Sequence, residues 1–237
     1  MMTSREVVDA LLRGNKADRV ALHDSPWADT IAAWVQQGYP TRMEYKQVGE
    51  SRWCPEDGRW VDVEQEGEYI EPVPAWEHFG YDMVGAGGWF DVMPLRDYEE
   101  LVAETDAWEI KRNGAGAALK YWKHKSGTPE HIDFRMTSRE VWERDYRSHL
   151  LTLDPERVDL ENDRKAMQKG RKAQKWVHLG HMFIWELMRQ SLGDVTMYES
   201  VLLDPGWIHD FNRVYTDLYK MHFAYMFEQN GLPDGMW

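Results

Sequence analysis

The chain has almost no cysteine. Cys54 is the single one among 237 residues. No intramolecular disulfide can staple the fold, which fits a reducing, cytoplasmic setting. Long apolar runs are missing too. No stretch approaches the roughly 18 residues of a membrane span, and the first residues, Arg5 among them, lack the apolar heart of a signal peptide. A membrane partner is not expected. Positive charge is in deficit: Lys and Arg number 28 against 41 Asp and Glu, for a net charge of −13. A phosphate backbone is repelled on average, so nucleic acid is not an expected partner. The one basic run, residues 165–175, reads as a solvated helix end. There is no lysine-bearing phosphate loop, no nucleotide fingerprint and no persuasive Ser/His/Asp order.

What the chain does have is tryptophan, 13 of them. Each brings a large apolar area with a polar N–H, useful in cores and around flat ligands. The stretch that organises the rest is residues 18–40. Residues 19–22 predict a short strand, with His23, Asp24 and Trp27 at its C-terminal end. Ile31, Trp34 and Val35 then recur at helical spacing until Gly38 and Pro40. Similar strand-then-helix starts are counted near Asp82, Trp176 and Leu232. In sheets with helical crossovers, strand C-terminal ends are where sites are built.

Local signals fill in the remainder. Thr3 and Glu6 form a capping-box pair, with Val7, Val8, Leu11 and Leu12 as the apolar face of a first helix. Residues 2–7 recur verbatim at 136–141 without a longer repeat, which predicts one helix start used twice. Residues 42–75 read as a small antiparallel β insertion, with pieces at 43–48, 59–63 and 68–70 and a turn at 55–58. Gly85-Ala86-Gly87-Gly88 reads as a flexible loop. Asn113-Gly114 marks a hairpin within 107–124. Helices are expected at 138–151, 160–172, 182–192, 195–202 and 205–229, and a strand at 176–179. A closed eight-stranded α/β barrel uses about 250 residues. The expected fold is therefore α/β, a (β/α)8 TIM-barrel type left incomplete after four to five units, as a single domain over residues 1–237.

Several segments carry a family resemblance. Residues 2–20, opening Met2-Thr3-Ser4-Arg5-Glu6-Val7 and closing Ala17-Asp18-Arg19-Val20, resemble the N-terminus of the uroporphyrinogen decarboxylase superfamily, which includes corrinoid-dependent methyltransferases. Phe79-Gly80-Tyr81-Asp82, residues 123–130, Asp204-Pro205-Gly206-Trp207 and Gly231-Leu232-Pro233-Asp234-Gly235 agree with it. The resemblance implies a barrel with its cleft at the strand C-termini, and a chain lacking roughly the last third of the family's domain. Decarboxylases of the family carry arginines after the first strand that clamp substrate carboxylates. Here that place reads Ser25-Pro26-Trp27-Ala28-Asp29-Thr30-Ile31, without arginine, beside Asp24. This departure favours the methyltransferase branch, where a zinc thiolate attacks a methyl group. The zinc ligands of that branch, a His-x-Cys pair and a further Cys, have no counterpart here, and Cys54 is misplaced for them. Zinc and a corrinoid are expected cofactors of the full-length family member, and the isolated chain is expected to be inactive. The alternatives are decarboxylation of a tetrapyrrole, or a non-catalytic partner subunit. The expected partners are a small molecule or corrinoid protein, and a second copy or complementing chain at the open barrel edge.

The candidate residues follow. His23 and Asp24 either orient and protonate a substrate or form a turn in which Asp24 and Ser25 cap the next helix. Trp27 either stacks on a flat ligand or packs between helices. Asp91 matches the family's catalytic aspartate. His178 and His181 lie near a strand end, as structural histidines, active-site hydrogen-bonding groups or, least favoured with only Glu186 as a nearby carboxylate, a zinc pair. Glu186 sits in an apolar run, where it either faces the core, which would raise its pKa, or lies on the helix's wet side. The candidate catalytic residues are Asp91, His23 and His178. The candidate substrate-binding residues are Asp24, Trp27, Trp89, His181 and Glu186. No metal ligand is assigned. His131 and Asp133 read as a loop edge.

Overall fold

Thr3 opens the first helix as its capping box predicts. Its hydroxyl accepts the Glu6 N–H at 3.2 Å, and the Glu6 carboxylate accepts the Thr3 N–H at 2.8 Å. The structure is a computed structural model. It describes residues 1–56, 58–123 and 127–236, and Arg59 by its backbone. Asp57 of the expected 55–58 turn, residues 124–126 of the 123–130 segment and Trp237 lie outside the described residues. The chain divides into two compact units, Met1–Val84 with Gly170–Trp176, and Gly85–Lys169 with Val177–Trp237.

In the first unit, α1 (Ser4–Leu12) buries Val7, Val8 and Ala10, while Leu11 and Leu12 face outward. The expected four-residue face is thus narrower. α2 (Ala28–Gln36) buries Ile31. It has no side-chain cap, because Asp24 turns to the adjacent Ser25 N–H at 2.8 Å. The antiparallel insertion comprises β1 (Thr41–Lys46), β2 (Ser51–Cys54), β3 (Arg59–Asp62) and β4 (Gly67–Pro72). β1 pairs with β4, and β2 with β3. β2 is a strand the sequence reading lacked. Trp53 secures it, fully buried, edge-on to Trp60 at 4.7 Å, with its N–H donated to Glu71 at 2.8 Å. A single helical turn, α3 (Ala75–His78), follows.

β5 (Met83–Gly85) precedes an antiparallel meander of β6 (Glu99–Glu104), β7 (Trp108–Asn113), β8 (Ala117–Trp122) and β9 (Glu130–Phe134). The hairpin at Asn113 is present: its side-chain oxygen accepts the N–H groups of Ala115 and Ala117 at 3.0 and 3.1 Å. β6 and β9 are too acidic to read as strands. Their charges pair across the sheet, Glu99 with Lys111, Glu130 with Lys120 and Asp133 with Arg112. His131 and Asp133 thus lie in a strand and not at a loop edge.

The second copy of the hexapeptide also starts a helix, α4 (Arg139–Val141), but Ser138 is the cap, one residue later than in the first copy. The helix expected to run on to 151 breaks into a π turn at Trp142–Tyr146 and a tighter turn at Arg147–Leu150. Asp210 pins that break, accepting Trp142 Nε1–H at 2.9 Å and Arg147 Nε–H at 2.8 Å. The remaining elements are α5 (Leu160–Lys172), β10 (Trp176–Leu179), α6 (Ile184–Leu192), α7 (Asp194–Leu203), α8 (Pro205–Asn230) and β11 (Gly235–Met236). Asp204 caps α8 at the Trp207 N–H, with Pro205 in the first turn. The α8 stripe Trp207, Phe211, Tyr215 and Leu218 is buried with Trp142 and forms the core of the second unit.

The barrel is not there. The sheets among the described residues have two to four strands, and none closes. β5, β10 and β11 form the one parallel sheet of three, in the order β11-β10-β5. The expected first strand, 19–22, is not a strand. The segment bonds to Asp82 in place of a ladder, with Leu22 O accepting the Asp82 main-chain N–H at 2.7 Å. Arg19 binds the Asp82 carboxylate with two nitrogens at 2.6 Å, and Leu22 N–H reaches it at 2.8 Å. Most extended residues instead belong to antiparallel pairs, which hairpin turns build locally and a barrel of crossovers does not use.

Candidate functional site

In the second unit, the residues that follow β5 and β10 lie side by side. Ala86 N–H donates to His178 O at 2.9 Å, and Gly180 N–H to Gly87 O at 3.1 Å. Gly87 and Gly88 have φ of 80° and 90°, a region that disfavours any side chain. There is also no room for one. A Cβ on Gly87 would lie 1.7 Å from Asp163 Oδ1, and one on Gly88 would lie 2.6 Å from Leu179 Cβ. The loop expected to be flexible is therefore closely packed.

Asp163, in the first turn of α5, is 6% exposed. Oδ1 accepts the Gly88 N–H at 3.3 Å, while Oδ2 is buried with no hydrogen-bond partner among the described residues. Burial pushes its carboxyl up to about 6, opposed by the Gly88 N–H and reinforced by the negative Asp159.

The glycines deliver Trp89, whose indole is 58% exposed. Its inner face stacks on His181 at 5.0 Å and 22°. His181 is buried among Phe90, Tyr219 and Phe223. Its Nδ1 lies 3.0 Å from Met182 O, which also accepts the Tyr219 hydroxyl. Burial pushes the imidazole pKa down, against the pull of the Met182 and Phe90 main chain. His181 is therefore neutral near pH 7. Phe90 stacks in turn on His222 at 4.7 Å, and His222 is fully buried between Leu218 O and Asp154. The result is an exposed flat indole backed by a buried aromatic stack.

The other candidates sit differently. His178 is buried in β10, with Nε2 3.8 Å from where a Cβ of Gly85 would be. Both carboxylate oxygens of Asp91 serve a turn, accepting Met93 N–H at 2.8 Å and Asp97 N–H at 3.3 Å. The nearby Arg157 spends its terminal nitrogens on the carbonyls of Asp91, Met93, Pro94 and His149. Glu186 does not face the core. It pairs with Arg189 and Gln190 on the wet side of α6, and the Arg189 hydrogen bond lowers its pKa. His23, Asp24 and Trp27 belong to the first unit, exposed just before α2.

Asp163, Tyr219 and His222 were not singled out in the sequence. Asp163 reads there as one charge of a polar helix, and its partner Gly88 is 75 residues away. Spacing alone could have flagged Tyr219 and His222, which fall between the apolar positions of α8.

A zinc thiolate does not fit the residues present. Among the described residues no group of three or more His, Cys, Asp or Glu side chains could hold a metal ion. Cys54 is buried in β2, its thiol 3.2 Å from Glu56. No family model, curated protein or solved structure matches the chain.

Proposed function

We propose that the chain is a uroporphyrinogen decarboxylase superfamily protein of the corrinoid-linked methyl-transfer type, and that its part in that chemistry is to bind the flat, largely uncharged portion of the substrate. The observation that carries the reading is Trp89, an exposed indole stacked on His181. A flat conjugated ligand gains from such a surface without the cost of ordering it. The segments that carry the resemblance also support it. Arg19, from the first of them, is held by Asp82, from the second. The proposal rests on these segments and on the site, with no closed ring of strands.

Tetrapyrrole decarboxylation is less well supported. It needs cations for several carboxylates and a carboxyl group free to meet the substrate. Arg157 and Asp91 are engaged with the main chain instead. Among the described residues no side-chain group could hold a metal ion, and methyl transfer from methylcobalamin to a thiol is expected to be absent with the chain alone.

The test is titration with hydroxocobalamin, alongside uroporphyrin, read by absorbance and calorimetry. Saturable cobalamin binding is expected, weakened about tenfold by Trp89→Ala, in line with the 1–3 kcal/mol typical of losing one stacking partner. Trp185→Ala, another exposed tryptophan of the second unit, should leave it unchanged. Failure to bind cobalamin, or equal binding by Trp89→Ala, overturns the reading. Preference for uroporphyrin moves the chain to the decarboxylase branch.

A further inference from the structure

We propose that Asp163 is a positioning residue for Trp89: a proton-operated latch that seats Gly87 and Gly88 against β10 while its carboxyl is protonated, and releases them when it ionises. Three observations lead there. The Asp163 carboxyl fills the space a Gly87 side chain would take, so it and the glycine backbone are in direct contact. One oxygen holds the Gly88 N–H and the other is buried without a partner among the described residues. Trp89 is the next residue along the chain, so any shift of Gly88 moves the indole relative to His181.

The surroundings set the direction of the switch. From the residue just before its helix, Asp159 adds like charge to Asp163. From the glycine segment the facing group is the Gly88 N–H. On the β10 side stands His178, whose Nε2 lies by Gly85 at the start of the same segment. A neutral carboxyl is tolerated in such a place. An ionised one, with a single long hydrogen bond, gains by opening to water. Opening should therefore grow as pH rises. With the carboxyl at its ordinary 3.8 when the loop is open and about 6 when closed, the opening equilibrium rises about tenfold between pH 5 and pH 8.

Hydrogen exchange of the peptide covering residues 85–91, corrected for intrinsic rate and measured without ligand, tests this directly. The wild type should open about tenfold more at pH 8 than at pH 5, while β7 in the same unit does not change. Asp163→Asn should be slow and independent of pH. A flat wild-type profile, or the same slope in Asp163→Asn, overturns the latch. Should Asp163→Asn fail to fold, the wild-type profile decides alone. The consequence for ligand rests on the proposed function: cobalamin affinity should fall over the same pH range in the wild type and hold in Asp163→Asn. If the loop switches but cobalamin binds at no pH, the latch stands and the ligand reading fails.

Discussion

Two carboxylates in this chain show how surroundings decide what a charge does. Asp82 and Asp163 are both buried, yet they shift in opposite directions. Burial raises the pKa of Asp82, but the Arg19 guanidinium, the Ser4 hydroxyl and the Leu22 N–H outweigh it and hold the group at about 2. Because the folded value lies below the unfolded one, Asp82 contributes stability above pH 4 that disappears as pH falls toward 2. Arg19→Met leaves that carboxylate buried and unpaired. The loss expected at pH 7 is about 2–3 kcal/mol, at the low end for a broken buried pair because Arg19 is itself 37% exposed. Denaturant midpoints at pH 7 and pH 2.5 check it, since most of the difference between wild type and Arg19→Met should vanish at the lower pH. An equal difference at both would mean that Arg19 acts by packing alone. None of this is legible in the sequence, where the apolar Val20-Ala21-Leu22 reads as a strand. The carboxylate that takes up the Arg19 guanidinium lies 63 residues away and leaves no local signal.

Short-range chemistry was legible where it closes within a few residues. The Thr3 box, the Asn113 hairpin and the Asp204-Pro205 start of α8 all need partners at most four positions off, so their spacing in sequence is their spacing in space. β6 and β9 escaped because their stability lies in cross-strand ion pairs, which have no fixed spacing. The same contrast separates two predictions. Thr3→Ala removes one cap and should cost about 1 kcal/mol. Ser138→Ala should cost less, because its bond to the Val141 N–H is 3.4 Å long and its helix lasts three residues. Thermal melts of the two variants rank them, and a larger loss at Ser138 would contradict the geometry. At the glycine segment, Gly87→Ala drives a methyl into Asp163 and should cost 2 kcal/mol or more, a size typical of overpacking joined to a strained φ. Asp163→Ser in the same chain makes room, so the double variant should recover part of the loss. A strictly additive double variant would show that the clash is not with Asp163.

Across the whole molecule the sequence reading failed in one step: it counted strand starts without knowing which would pair. Three of the four places do enter one parallel sheet, at Met83, Trp176 and Gly235, and the sheet stops at three. Hydrophobic runs report burial, and burial alone does not fix a neighbour. The opposed carboxylates now separate the two units by their response to pH. The first unit holds Asp82, so it should weaken in acid and stay level above about pH 4.5. The second holds Asp210, whose pKa is lowered by Arg147, against burial, with help from Trp142 and Arg213. It therefore also loses stability in acid. The second unit alone contains Asp163, raised to about 6. That contribution is complete below 3.8 and is lost as pH climbs through 6, the opposite sign. The second unit should be most stable near pH 4, decline as pH rises to about 6, and level off above it. Protection of α8 and of the β2–β3 hairpin, followed by hydrogen exchange in guanidinium from pH 3 to pH 8, distinguishes the two profiles. Asp163→Asn supplies the control. It should remove the second unit's decline between about pH 4 and pH 6 and leave the first unit untouched. A second unit that strengthens steadily to pH 8, or a decline that survives Asp163→Asn, would mean that the buried carboxyl is neutralised by some group other than those described around it.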